Sequence, residues 1–201
     1  MSYGVSGFGE VTFEAGTSVL VSGNASQTRE EVYDAVAEGL ESGEAAVLIS
    51  TNHSPRRILD ALGARIEVPA ERFAIVDVSG DGTDAEIDGV SVRAVGSPGD
   101  LTGLSLAFAK QLQLLEERGA ATEARVIIDS VSTLMMYADV QTVFRFLHVF
   151  TSRLDSAGLF GLFTLQPGMH DDQETSTIQT LFDSEATIEE EEIALRGSGY
   201  D

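Results

Sequence analysis

Residues Gly23-Asn24-Ala25-Ser26-Gln27-Thr28-Arg29-Glu30 have the length and placing of a loop that cradles phosphate in the pattern G-x-x-x-x-G-K-[ST]. Such a loop wraps backbone N–H groups around phosphate oxygens, which favours glycine where the chain turns tightly. Its lysine brings a compact positive charge to the outer phosphates, and its hydroxyl binds the metal ion. Here Gly23 holds the first glycine position. Thr28 stands at the second glycine, Arg29 at the lysine and Glu30 at the hydroxyl. Arg29 keeps the charge in a larger, planar group. Glu30 sets a carboxylate where a polyphosphate needs a neutral group. One position of four survives, so the motif is weak alone and takes its weight from its surroundings.

Other constellations are weaker. Asp77-x-Ser79-x-Asp81-Gly82 with Asp88 partly mimics a calcium loop. It follows a strand instead of a helix, and its last position lacks the bidentate glutamate, so an acidic turn is expected. His53, His148 and His170 have no metal-ligand spacing, and zero cysteines exclude disulfides and thiolate metal sites.

The elements that must position these residues alternate. Apolar runs predict strands over Ser18–Ser22, Ala45–Ser50, Phe73–Val78, Val126–Ser130 and Leu159–Leu165, with a short one over Val90–Val95. Helical patterns fall between them. One runs from about Glu30 to Glu41. Pro55–Leu62 follows, with Ser54 as N-cap and Gly63 past its end. Leu101–Glu117 is capped by Asp100 and ended by Gly119. Asp139–Ser156 and Thr177–Phe182 complete the set. Ala186–Leu195 reads as a C-terminal strand or hairpin turning at the solvated run Glu189–Glu192.

Strands of near-continuous apolar residues separated by helices predict a mostly parallel sheet covered on both faces. Ligands in such folds gather at the strands' C-terminal ends. The positions to read are therefore Ser22–Thr28, Ser50–Ser54, Asp77–Gly82, Asp129–Thr133 and Gln166–His170. One domain over residues 1–201 is expected, since no interior linker or internal repeat divides the chain.

The charge balance is extreme: 33 acidic residues against 12 basic ones, a net of −21, with Lys110 the sole lysine. At 43% hydrophobic content the chain folds, so the acid load is a solvated surface. This balance resembles that of proteins from salt-loving archaea, in which salt screens the self-repulsion. An acidic surface argues against direct binding to nucleic acid or anionic lipid. No signal peptide opens the sequence and no run reaches the roughly 18 apolar residues of a membrane span, so a cytoplasmic protein is expected.

By element order over nearly its whole length, the chain resembles the RecA-like ATPases, closest to the KaiC and RadA groups. The residues that carry the likeness are Gly16–Gly23, leading into the phosphate loop, and Arg125-Val126-Ile127-Ile128-Asp129-Ser130, like the Walker B strand. Gly43 followed by Ala45–Ser50 matches the second strand. The likeness implies a three-layer RecA-like α/β fold, mostly parallel, with helices on both faces and a C-terminal β-hairpin. It implies a vestigial nucleotide site at Gly23, Thr28, Arg29, Glu30, Asp129 and Gln166. Asp129 would help hold the metal-bound water, and Gln166 would lie where relatives sense the γ-phosphate.

The departures point away from catalysis. Relatives present glutamates at the end of the second strand to activate water, whereas Ser50-Thr51-Asn52-His53 stands here. Asn52 offers no base. The residues themselves leave alternatives open: Asp129 as a helix cap or ion-pair partner, Arg29 as a surface arginine, His53 and Gln166 as loop residues, and Met135-Met136-Tyr137 as core or interface. The expectation is a non-catalytic regulatory or assembly module with no required cofactor and at most weak binding of ATP and magnesium. Its partner would be a protein or a second copy of itself. The alternative is an ATP-binding protein with slow or partner-dependent hydrolysis.

Overall fold

The predicted alternation folds, in a computed structural model that describes residues 2–9, 11–80, 82–120, 123–189 and 192–201, around a sheet whose central strands are fully buried. In chain order the elements are β1 (Ser2–Gly4), β2 (Thr12–Glu14), β3 (Ser18–Ser22), α1 (Ala25–Glu41), β4 (Ala45–Ser50), α2 (Pro55–Gly63), β5 (Phe73–Asp77), β6 (Ala85–Ile87) and β7 (Val90–Ala94). There follow α3 (Leu101–Glu117), β8 (Ala124–Asp129), α4 (Val131–Tyr137), α5 (Val140–Ala157), β9 (Phe160–Leu165), α6 (Asp172–Gln179), β10 (Ser184–Glu189) and β11 (Glu192–Gly197).

Among the described residues the main sheet has nine strands in the order β11-β10-β3-β9-β8-β4-β5-β7-β6. Every neighbouring pair from β10 to β7 is parallel, and an antiparallel hairpin closes each edge. Side chains alternate across the pleat. Val19, Val21, Leu48 and Ile127 pack with α1, α2 and the N-terminal aromatics Tyr3, Phe8 and Phe13. Leu20, Val47, Ile49 and Ile128 pack with α3, α4 and α5. Each large apolar side chain fully buried this way contributes about 1.5–3 kcal/mol.

Glu44, Asp77, Arg125 and Asp129 are buried as well, Arg125 most deeply. Arg125 on β8, 1% exposed, forks onto Glu44, with Nη2 donating to Oε1 at 2.9 Å, while Nη1 donates to the Ala35 carbonyl at 2.8 Å. These bonds hold the turn before β4 against α1. Removal of one partner would strand the other charge, at a cost of about 3–5 kcal/mol.

Several boundaries differ from the sequence pattern. Helix α1 begins at Ala25, five residues before the predicted Glu30, because Asn24 caps it. Helix α6 begins at Asp172 and ends at Gln179, earlier than predicted, because the Asp171 carboxylate accepts the Glu174 N–H at 2.8 Å. Three features lay outside the pattern: the β1–β2 hairpin, β6 and α4. Strand β6 turns into β7 through Asp88 and Gly89, both at positive φ (51° and 83°), the backbone of a tight hairpin turn. At the acidic turn, Asp77 Oδ1 accepts the Ser79 N–H at 3.0 Å, and Asp81 lies outside the described residues. The C-terminal hairpin is present as β10–β11, while Glu190 and Glu191 of its glutamate run lie outside the described residues.

Candidate functional site at the strand ends

The C-terminal ends of β3, β9, β8 and β4 lie side by side. Ser22 is level with Leu165, and Asp129 with Ser50. Gly23 N–H donates to the Leu165 carbonyl at 3.2 Å. A β-carbon on Gly23 would meet Ile188 at 3.2 Å and the Thr28 methyl at 3.3 Å, so close packing favours glycine here.

Only Gly23 and Asn24 separate β3 from α1, so the segment read as a loop is the first turn of a helix. Asn24 Oδ1 accepts the N–H of Ser26 at 3.1 Å and of Gln27 at 3.0 Å. Its carbonyl accepts the Thr28 N–H at 3.0 Å and the Thr28 hydroxyl at 3.1 Å. An anion at a helix N-terminus is held by those same free N–H groups. Here the Asn24 side chain has taken two of them, those of Ser26 and Gln27.

The sequence-selected residues divide into three sets. Gly23, Thr28 and Gln166 form one chain: the fully buried Thr28 hydroxyl accepts Gln166 Nε2 at 3.4 Å, and Gln166 N–H donates to Ser132 Oγ at 2.9 Å. Arg29, Asp129 and His53 share a second neighbourhood. Asp129 is 7% exposed and its Oδ1 accepts the Thr164 hydroxyl at 2.8 Å. Burial raises its pKa above the usual carboxylate range, and the Thr164 bond and the charge of Arg29 offset that in part. Burial lowers the pKa of His53; the bond to the Asn52 carbonyl and the charge of Asp129 oppose this, and Arg29 and Arg57 add to it. Its Nδ1 lies 2.8 Å from the Asn52 carbonyl and donates to it. Arg29 Nε and His53 Nε2 are buried without hydrogen-bond partners. Tyr33, pushed up to about 12 by burial and then by Asp129, borders the same space.

Glu30 stands apart. It is exposed on α1 and pairs with Arg65, which also binds Asp34 Oδ1 at 2.5 Å. A helix that starts at Ala25 turns Glu30 toward α2 and away from the strand ends. Asn52, where a base would stand, donates from Nδ2 to Thr133 Oγ1 at 2.8 Å. Sequence reasoning missed Thr51 and Thr164. Thr51 Oγ1 donates to the Asp129 carbonyl at 3.0 Å and accepts the Ser130 N–H at 2.9 Å. The available signal was a threonine at or near the end of each strand flanking β8.

A magnesium nucleotide would require free N–H donors on the loop, a hydroxyl beside the metal and a carboxylate open to water. The donors of Ser26, Gln27 and Thr28 are engaged, Glu30 replaces the hydroxyl and faces Arg65, and Asp129 is enclosed. These residues do not fit the group in that manner. Among the described residues no cluster of three or more histidine, aspartate or glutamate side chains could hold a metal ion.

The doubly covered parallel sheet with its C-terminal hairpin defines a KaiC-like α/β fold of the RecA type. The chain is similar to the crystal structure of the KaiC-like protein PH0186 from the hyperthermophilic archaeon Pyrococcus horikoshii OT3. The TM-score is 0.64 at 17% identity, over 92% of this chain and 81% of that one. In sequence, the model of a family of unknown function, DUF7504, matches residues 16–189, and the chain belongs to that family. No curated protein matches it in sequence. Among the described residues no helix is long and apolar enough to cross a membrane.

Proposed function

We propose that this chain is a non-catalytic regulatory or assembly module on a KaiC-like fold, with a degenerate nucleotide site. One observation carries this reading: Asn24 caps the N-terminus of α1, engaging two of the donors that a phosphate would use, the N–H groups of Ser26 and Gln27. Glu30, paired with Arg65, and Asn52, bonded to Thr133, support it, since neither supplies the metal hydroxyl or the water-activating carboxylate expected at its position. The module would act by binding a protein partner or a second copy of itself.

A second reading, ATP binding with slow or partner-dependent hydrolysis, is favoured by the unpartnered Arg29 Nε and His53 Nε2 beside Asp129. Two measurements in molar potassium chloride separate them. Calorimetric titration with Mg-ATP should give no saturable heat, and phosphate release should stay at the buffer rate. Turnover of about 1 per second, the lower range of ordinary enzymes, that disappears in Asp129→Ala would overturn the non-catalytic reading.

A further inference from the structure

Helices α3 and α5 leave a groove of about 530 Å³ between them. Leu106 and Ala109 of α3 line one wall, and Phe146 and Val149 of α5 line the other. Leu106 is 59% exposed and Val149 49%. Both are large apolar side chains that the core beneath does not use. Arg145 and Arg153 also line the groove, from α5. Arg145, Val149 and Arg153 stand four residues apart in turn, so they form one stripe along the helix.

The charge of this rim is out of keeping with the molecule. Carboxylates outnumber cations 33 to 12, and Arg56, Arg65, Arg72, Arg93 and Arg125 all sit in ion pairs. Arg145 and Arg153 form none among the described residues, like Arg29, Arg57, Arg118, Arg196 and Lys110, but Arg145 and Arg153 line one groove. Arg145 makes a long bond to Thr142 Oγ1, at 3.4 Å, and its charge also acts on Asp139, the N-cap of the same helix. An apolar floor with two cations beside it that form no ion pair, on a surface of net −21, complements a ligand that is apolar on one stripe and acidic along its flanks.

We propose that this groove docks an acidic amphipathic helix of another polypeptide. The claim rests on the reading of the chain as a binding module and names the class of its partner. Helix-in-groove recognition takes anchors at i, i+3 or i+4, and i+7. Leu106, Phe146 and Val149 would receive those anchors. The eight steps from Arg145 to Arg153 span about 12 Å at about 1.5 Å per residue, so the partner's carboxylates would stand about eight residues apart. A symmetric second copy fits poorly. A two-fold interface sets the same patch against itself and would bring four arginines together.

The test uses a fluorescent peptide of about four helical turns, with leucines on one stripe and glutamates eight residues apart beside it. A control peptide carries lysines in place of the glutamates. Anisotropy with the full chain should show the acidic peptide binding about tenfold tighter or more, an advantage that shrinks as potassium chloride is raised. Arg145→Glu with Arg153→Glu should reverse the preference. Leu106→Ser with Val149→Ser should weaken both peptides, and hydrogen exchange should show protection over α3 and α5. All four positions are surface ones, and circular dichroism checks that each variant is folded. Absence of binding, equal binding of the two peptides, or a preference unmoved by the charge reversal would overturn the proposal. So would self-association that Leu106→Ser abolishes, which would make a second copy the occupant. Mg-ATP turnover measured on the same sample keeps the two readings apart. Turnover with the groove functional would sink only the non-catalytic reading, and a silent groove without turnover would sink only the docking site.

Discussion

Asp129 is a carboxylate that folding puts where ionisation is costly. Burial raises its pKa, and neither the Thr164 hydroxyl nor Arg29 fully offsets that. The folded chain therefore holds this proton to higher pH than the unfolded chain, whose aspartates titrate near ~3.9. Stability falls as pH rises from that value through the raised one, and the whole penalty is present above it. Asp129→Asn keeps an acceptor for Thr164 and removes the penalty. In thermal melts at fixed salt, the variant should match its parent below about pH 4 and melt higher near neutrality. A variant that melts lower at neutral pH would show that Arg29 stabilises the ion more than burial opposes it. Asp129, Gln166 and Gly23 could be picked out in the sequence because each ends an apolar run, and the fold brings those ends together. Glu30 could not be placed, since its direction depends on where α1 starts. Thr51 and Thr164 were invisible because their bonds to the Asp129 region depend on which strands become neighbours.

The start of α1 makes its own prediction. Asn24 satisfies two helix N–H groups through its side chain, so Asn24→Ala should cost about 0.5–2 kcal/mol. For a chain of this length that lowers the melting temperature by about 1–8 °C. Asn24→Gly should cost only a few tenths of a kcal/mol. Equal melting of all three proteins would remove the cap from the account of why the phosphate loop became helix. The caps of α2 and α3 were legible because Ser54 and Asp100 each precede a clear apolar pattern, whereas Asp139, read as the first helical residue, caps α5. Asn24 was passed over because the glycine pattern of a loop competed with the cap for the same residues. Strand β6 was passed over although Asp88-Gly89 is a hairpin signal, because its own residues, Ala85–Ile87, are largely exposed and carry no apolar run.

Over the whole molecule the dominant quantity is charge. A net of −21 on 201 residues repels itself across the surface. The screening distance grows from about 3 Å at 1 M salt to about 10 Å at 0.1 M. Dilution should therefore lower the melting temperature steadily, as read by circular dichroism over a potassium chloride series. A melting temperature flat or rising on dilution would mean that the acidic surface carries no such load. The parallel sheet was legible because buried strands leave apolar runs. The order of its strands was not, because order is set by which helix crosses which face. That order also has a consequence in time. Strand β3 lies between β9 and β10, and Ser18 pairs with Gly161, so its partners are made about 140 residues after it. At about 5–20 residues per second, the ribosome would leave β3 without either neighbour for roughly 7–28 s. For that interval its apolar Val19-Leu20-Val21 edge is an open template on the nascent chain, and a chaperone that shields it would raise the yield of folded protein.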